Sequence, residues 1–276
     1  MTTCYFDRNV FDQIDRKRDV TDGDLTILRK AIRDDQLSVL VSFETVQETS
    51  YAKKDTALRG LRLIQELARA EFPIKPHDEL LRDDITAFAQ GKENESPFLF
   101  GKFQIETVIN DVENPSAEVL SLIEDDKREK IVLNEKLARY VDDERRILGD
   151  KRPRPFARYW DLRSTFYAEG FAYFAGHLDQ AKELGIDRLL QLRSVRLTVG
   201  AFLSLLYSIL IEGHVVQNGT SRDIQHVAPM SAADIIVTDD GELRRLIGRV
   251  PIENLVIITL PELIAFLRGE IPLKLT

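Results

Sequence analysis

The 276-residue chain carries 38 basic and 46 acidic side chains, a formal net charge of −8 and a pI near 5.2, which counts against a protein that coats nucleic acid through overall positive charge. Its 43% apolar and 8% aromatic content excludes wholesale disorder and suffices for one large core or a core with an appended lobe. A lone cysteine, Cys4, excludes an internal disulfide. Nothing at the N-terminus resembles a signal peptide, so a reducing, cytoplasmic setting is expected, with Cys4 as packed, inert core.

In chain order, residues 3–6 read as a short apolar strand that delivers Asp7 to its C-terminal end. Thr21, with Asp24 three residues later, forms a capping-box pattern opening a helix through Leu25, Leu28 and Ile32. Residues 37–41 read as a second strand, and Ser42 is placed to cap a helix holding Glu44, Val46 and Glu48. From about residue 51 to 213 the strand signals mostly vanish. Leu58, Leu61, Ile64 and Leu67 recur at helical spacing, as do Leu80, Leu81, Ile85 and Phe88, and Ser116 precedes a long charged helical run. Prolines at 73, 76, 97, 153 and 155 mark joints where continuous helix is excluded. The most apolar stretch, 197–211, spans about fifteen residues, short of the roughly 20 a membrane crossing needs, and is expected to be a buried helix; no membrane association is expected. Beyond it, Ser221 caps a helix beginning at Arg222 and Asp223, which Pro229 should kink or shorten. Residues 234–238 then read as a strand, 241–247 as a helix, 254–259 as a strand and 261–268 as a final helix.

Alternation of strand and helix at both ends predicts an α/β fold with a parallel sheet. The first two and last two strands must pair to be covered, so residues 1–50 and 214–276 form one core, and 51–213 is an all-helical insertion packed on it. Asp7, Glu44 and Asp240 then fall at strand ends or the helix starts beyond them, where open α/β sheets build their sites, with Asp223 joining from one side. Four converging carboxylates repel one another unless a cation compensates, and oxygen-only ligands select Mg²⁺ or Mn²⁺ over zinc.

The order of these motifs resembles that of PIN domain nucleases: an apolar strand followed by Asp7-Arg8-Asn9-Val10, then Ser42-Phe43-Glu44, then Asp223 to His226, then the apolar run into Thr238-Asp239-Asp240. The resemblance covers roughly residues 1–50 and 215–276 and implies a PIN-like α/β/α core. It implies that Asp7, Glu44, Asp223 and Asp240 bind metal, that Asn9 and Thr238 orient those acids, and that Asp239, in a variable slot, is a further candidate ligand. In the family, one or two Mg²⁺ or Mn²⁺ ions activate water against a phosphodiester, usually of RNA, leaving a 5′-phosphate. The chain is about twice the length of a typical small PIN domain, so the helical middle lies outside the match.

Other readings stand beside these. Asp7 and Asp240 also suit helix caps, and Glu44 also suits a helix dipole. His226, on the face of Asp223, suits proton transfer or phosphate binding but also packing. Glu48 reads as a solvated helix face rather than an auxiliary ligand. The basic and aromatic stretch containing Arg152, Arg154, Arg158, Tyr159 and Trp160 is a candidate contact for single-stranded RNA, or else a helix whose aromatics are core and whose arginines pair with nearby acids. The expected function is a metal-dependent endoribonuclease, with a possible protein partner on the helical region. The alternatives are a haloacid-dehalogenase-like phosphohydrolase, against which Asn9 argues, and a catalytically inactive PIN-like scaffold that binds a protein.

Overall fold

Near-continuous apolar runs at both ends of the chain suit strands covered on both faces, and they meet in one sheet. The computed structural model describes residues 1–68, 73–92, 96–99, 103–151, 153–215 and 224–272. Strand β1 (Thr2–Phe6) lies between β2 (Leu37–Leu40) and β3 (Ile235–Val237), and β4 (Val256–Ile258) flanks β3, all parallel in the order β2-β1-β3-β4. Tyr5 stands in register with Leu40 on one side and Ile236 on the other. The chain ends are clamped at the start of these strands: Asp234 Oδ2 accepts from the Thr3 amide at 2.9 Å and the Thr3 hydroxyl at 2.7 Å.

Because side chains alternate across a strand, the sheet sorts them onto two cores. Cys4, Phe6, Val39, Ile235 and Val237 pack with α1 (Arg8–Asp15), α2 (Asp22–Arg33), α3 (Phe43–Ser50), α4 (Lys54–Leu67) and α14 (Leu260–Leu267). On the other face, Tyr5, Leu40 and Ile236 pack with α5 (His77–Ala89), α8 (Phe156–Phe174), α11 (Arg193–Leu210), α12 (Val227–Met230) and α13 (Gly241–Gly248). Helix α11 has a mean hydropathy of 1.3 over 18 residues, enough by length and composition for a membrane crossing, but 78% of that window is buried inside the protein. Its buried residues share one core with Tyr5, Leu40 and Ile236, so part of the helical middle belongs to the core itself.

Several helix starts follow the capping chemistry of the sequence. Thr21 and Asp24 make the capping box, and the Ser42 and Ser116 hydroxyls each accept an amide three residues on, opening α3 and α7 (Ala117–Leu148). Thr259 makes a second box with Glu262. Pro229 falls in α12, which is only four residues long. The middle is not wholly free of strand pairing: Ala68 bridges Val39, and Ile74 bridges Ser42 and Phe98. Single bridges carry no period-2 pattern, so nothing in the sequence marks them.

Between α7 and α8 a carboxylate is fully enclosed. Glu144 is 1% exposed and accepts two bonds from Arg163, at 2.6 and 2.8 Å, and one each from the hydroxyls of Tyr159 and Tyr167. Every oxygen lone pair facing the core thus has a donor, the condition under which a buried charge pair is tolerated.

Candidate active site at the crevice between β1 and β3

In the order β2-β1-β3-β4 the chain moves outward in one direction from β1 to β2 and in the other from β1 to β3, so the crevice at the C-terminal ends of β1 and β3 is the switch point of the sheet. Asp7 follows β1 there. It is buried, its Oδ1 accepts the Arg8 amide at 2.7 Å, and its Oδ2 accepts from the Thr238 hydroxyl at 3.0 Å and from Asn9 Nδ2 at 3.2 Å. Thr238, at the end of β3, also accepts the Asp240 amide at 3.1 Å, so one hydroxyl joins both strand ends. Burial pushes the Asp7 carboxyl above its ordinary range and the Glu48 charge adds to this, while His226, Thr238 and the Arg8 amide pull the other way.

Helix α3 brings two acids to the same place. Glu44 and Glu48 are one turn apart and therefore share a face. Glu44 is 7% exposed; its Oε1 accepts the His77 amide at 2.6 Å, and its Oε2 is buried without a hydrogen-bond partner among the described residues. Burial raises the Glu44 pKa, against the opposing pull of the His77 amide. Glu48 is not the solvated side chain expected from sequence: it is 17% exposed and its Oε2 lies 3.4 Å from His226 Nε2. His226 is itself 4% exposed. Burial alone would lower its pKa, but the bond to Glu48 and the charges of Glu48, Asp7 and Glu44 outweigh it and raise the value above 6.5. His77, at the start of α5, has the opposite fate: burial lowers it to about 4, with neighbouring His226 adding to the fall.

The structure therefore brings together Asp7, Glu44, Glu48 and His226, with Asn9 and Thr238 bonded to Asp7. Asp240 is adjacent through Thr238, but its Oδ1 accepts the amides of Glu242 and Leu243 at 2.8 and 3.0 Å, so one oxygen is committed to capping α13. Asp239 is exposed. Asp223 lies outside the described residues. His77 and the Glu48–His226 pair were not found by sequence reasoning. The one available signal was the spacing of Glu44 and Glu48, which a solvated face also produces.

The donor set is one that hard divalent cations prefer, and the unpartnered, buried Oε2 of Glu44 is an acceptor left open to a cation. Among the described residues no three His, Cys, Asp or Glu side chains stand at the spacing to hold one ion.

The basic stretch resolves differently from its expected role. Tyr159 is fully buried and bonded to Glu144, so its ring has no face free for a base, which corrects its expected stacking role. Arg154 donates to the Ile211 carbonyl at 2.7 Å, Arg158 is exposed, Trp160 is half-buried, and Arg152 lies outside the described residues. Comparisons with protein-family models, with curated proteins and with solved structures each found no match.

Proposed function

We propose that the chain is a Mg²⁺- or Mn²⁺-dependent endoribonuclease of the PIN type that hydrolyses phosphodiester bonds of single-stranded RNA. The observation that carries this reading is the gathering of Asp7, Glu44 and Glu48 at the switch point of a parallel sheet, with one oxygen of Glu44 buried and unpartnered. Asp7 and Glu44 would hold the cation, with water completing its shell and with Glu48 and Asp240 at the edge of the group. When bound, such an ion lowers the pKa of a water molecule and makes it a nucleophile at neutral pH. The protein's own contribution is orientation. Thr238, Asn9 and the Arg8 amide hold the Asp7 carboxylate in one rotamer, the His77 amide fixes Glu44, and His226 balances the charge of Glu48. Asn9 stands where the phosphohydrolase alternative needs a second aspartate as acid and base, which disfavours attack of Asp7 on phosphorus.

The test is incubation with labelled single-stranded RNA in Mn²⁺, Mg²⁺ or chelator. Cleavage is expected with metal only, and Asp7→Asn should reduce it by at least about 100-fold, the upper end of what loss of even an outer partner of a metal ligand costs. Chelator-resistant cleavage, or cleavage unchanged in Asp7→Asn, overturns the mechanism. One observation favours a second reading, the scaffold. An apolar groove of about 510 Å³ beside α3 is lined by Phe43, Phe103 and Val112 and by Leu120 and Leu122 of α7, the last two more than half exposed. Metal binding without turnover would favour it.

A further inference from the structure

A second cavity, of about 480 Å³, opens where α8, α11 and the turn after α13 meet, lined by Pro155, Phe156, Trp160, Arg196, Arg249 and Pro251. It shares no residue with the carboxylate group. Arg249 stands at the opposite end of α13 from Asp240, roughly 12 Å along the helix. Arg193, one turn from Arg196, senses the charge of Asp234, which precedes β3. The cavity therefore lies towards the N-terminal edge of the sheet, and the carboxylates lie at the C-terminal edge.

Three observations describe what the cavity can take. The Arg196 guanidinium lies 5.8 Å from the centre of the Trp160 ring, and its Nε is buried without a hydrogen-bond partner among the described residues. A buried donor with no acceptor is an open position for an anion or a polar ligand atom. Arg249 pairs with Glu212 and donates to Ser208, and Arg245, which also contacts Glu212, pairs with Glu242 at 3.6 Å, so these four charges balance. Arg196 and Asp161, which also line the cavity, carry opposite charges. A near-neutral cavity with two guanidinium groups suits a ligand with one phosphate group held by hydrogen bonds better than a polyphosphate. Half-buried Trp160 and Phe156 supply aromatic surface for a base.

We propose that this cavity binds one nucleotide, with its base against Trp160 and its phosphate on Arg196 and Arg249. The nucleotide is either free or part of an RNA strand. Trp160 also belongs to the expected contact for single-stranded RNA, so a strand bound here would extend the nuclease reading; the assignment uses none of its carboxylates, and binding read in chelator is separable from cleavage.

Trp160 is the chain's single tryptophan, so intrinsic fluorescence reports this cavity alone. Titration with AMP, a short oligoadenylate and inorganic phosphate, all in chelator, is the test. Saturable quenching by AMP or the oligonucleotide is expected, with Arg196→Gln weakening it by about tenfold, the worth of one hydrogen bond to a charged group. Tighter binding of AMP assigns a free nucleotide; tighter binding of the oligonucleotide assigns a strand. Asp161→Asn, an exposed substitution that leaves the core intact, should tighten binding by about twofold to fivefold through loss of one like charge. No quenching up to about 1 mM, equal quenching by phosphate alone, or affinity unchanged in both variants overturns the proposal.

Discussion

Asp7 and Glu44 sit where burial favours their neutral forms, and His226 sits where surrounding acids favour its charged form, so all three have raised pKa values in the folded protein. A group whose folded pKa is raised binds its proton more tightly when folded. Its stabilising contribution is therefore complete below the unfolded value and is lost as pH rises through the folded value. Asp24, Asp234 and Glu262 are shifted down, and their contributions are lost only on acidification below the ordinary carboxylate range. Between about pH 5 and 6.5 His77, lowered to about 4, opposes these groups, because the unfolded chain takes up a proton there that the folded chain does not. Above about pH 6.5 His77 is neutral in both states, and the metal-free protein should melt at a lower temperature at pH 8 than at about pH 6.5. Asp7→Asn keeps an acceptor for Thr238 but removes the buried charge. It should flatten that trend and raise the midpoint at pH 8 by roughly 2–4 °C, as about 1 kcal/mol does in a chain of this size. A lowered midpoint in a thermal melt would contradict the assignment of Asp7 as a strained, function-directed charge. The Thr238–Asp7 contact was legible, because each residue ends an apolar strand. The Glu48–His226 contact was not, because two polar residues 178 positions apart leave no periodic trace in one sequence.

At the scale of elements, most strands and helices were readable because their punctuation is local: Ser42, Ser116, Thr21 and Thr259 each cap the helix they precede. What joins elements was less visible. The contact of α7 with α8 turns on Glu144, which the alternation of acids and bases along α7 does not distinguish from its exposed neighbours Asp142 and Asp143. Replacing it by Ala leaves Arg163 and two tyrosine hydroxyls buried without their acceptor. Glu144→Ala should destabilise the protein by about 3–5 kcal/mol in urea unfolding, and pairing Glu144→Leu with Arg163→Met should recover much of this. A loss below about 1 kcal/mol for the single variant would mean that the pair is solvated. The same enclosure explains why Tyr159 is withdrawn from the basic surface: its hydroxyl is needed by Glu144 and its ring by Phe156 and Tyr207.

Across the whole molecule, the parallel sheet and the helical middle followed from the pattern of strands at the two ends and helices between. The place of α11 in the core on one side of the sheet did not, because an apolar run looks the same whichever surface it packs against. The two ends are tied by the two bonds from Thr3 to Asp234, across 231 positions of chain. Asp234→Ala removes both and should lower stability by about 1 kcal/mol, given their exposure, measured as a shift of the urea midpoint at unchanged slope. That distance also governs the order of events during synthesis. At about 5–20 residues per second, the β3 edge of β1 waits some 10–50 s after its own translation before β3 exists to pair with it. During that interval Asp7 has no Thr238 to orient it and no His226 beside it. A nascent chain on the ribosome, surrounded by RNA, therefore cannot carry the assembled carboxylate group until its C-terminal strands have been made.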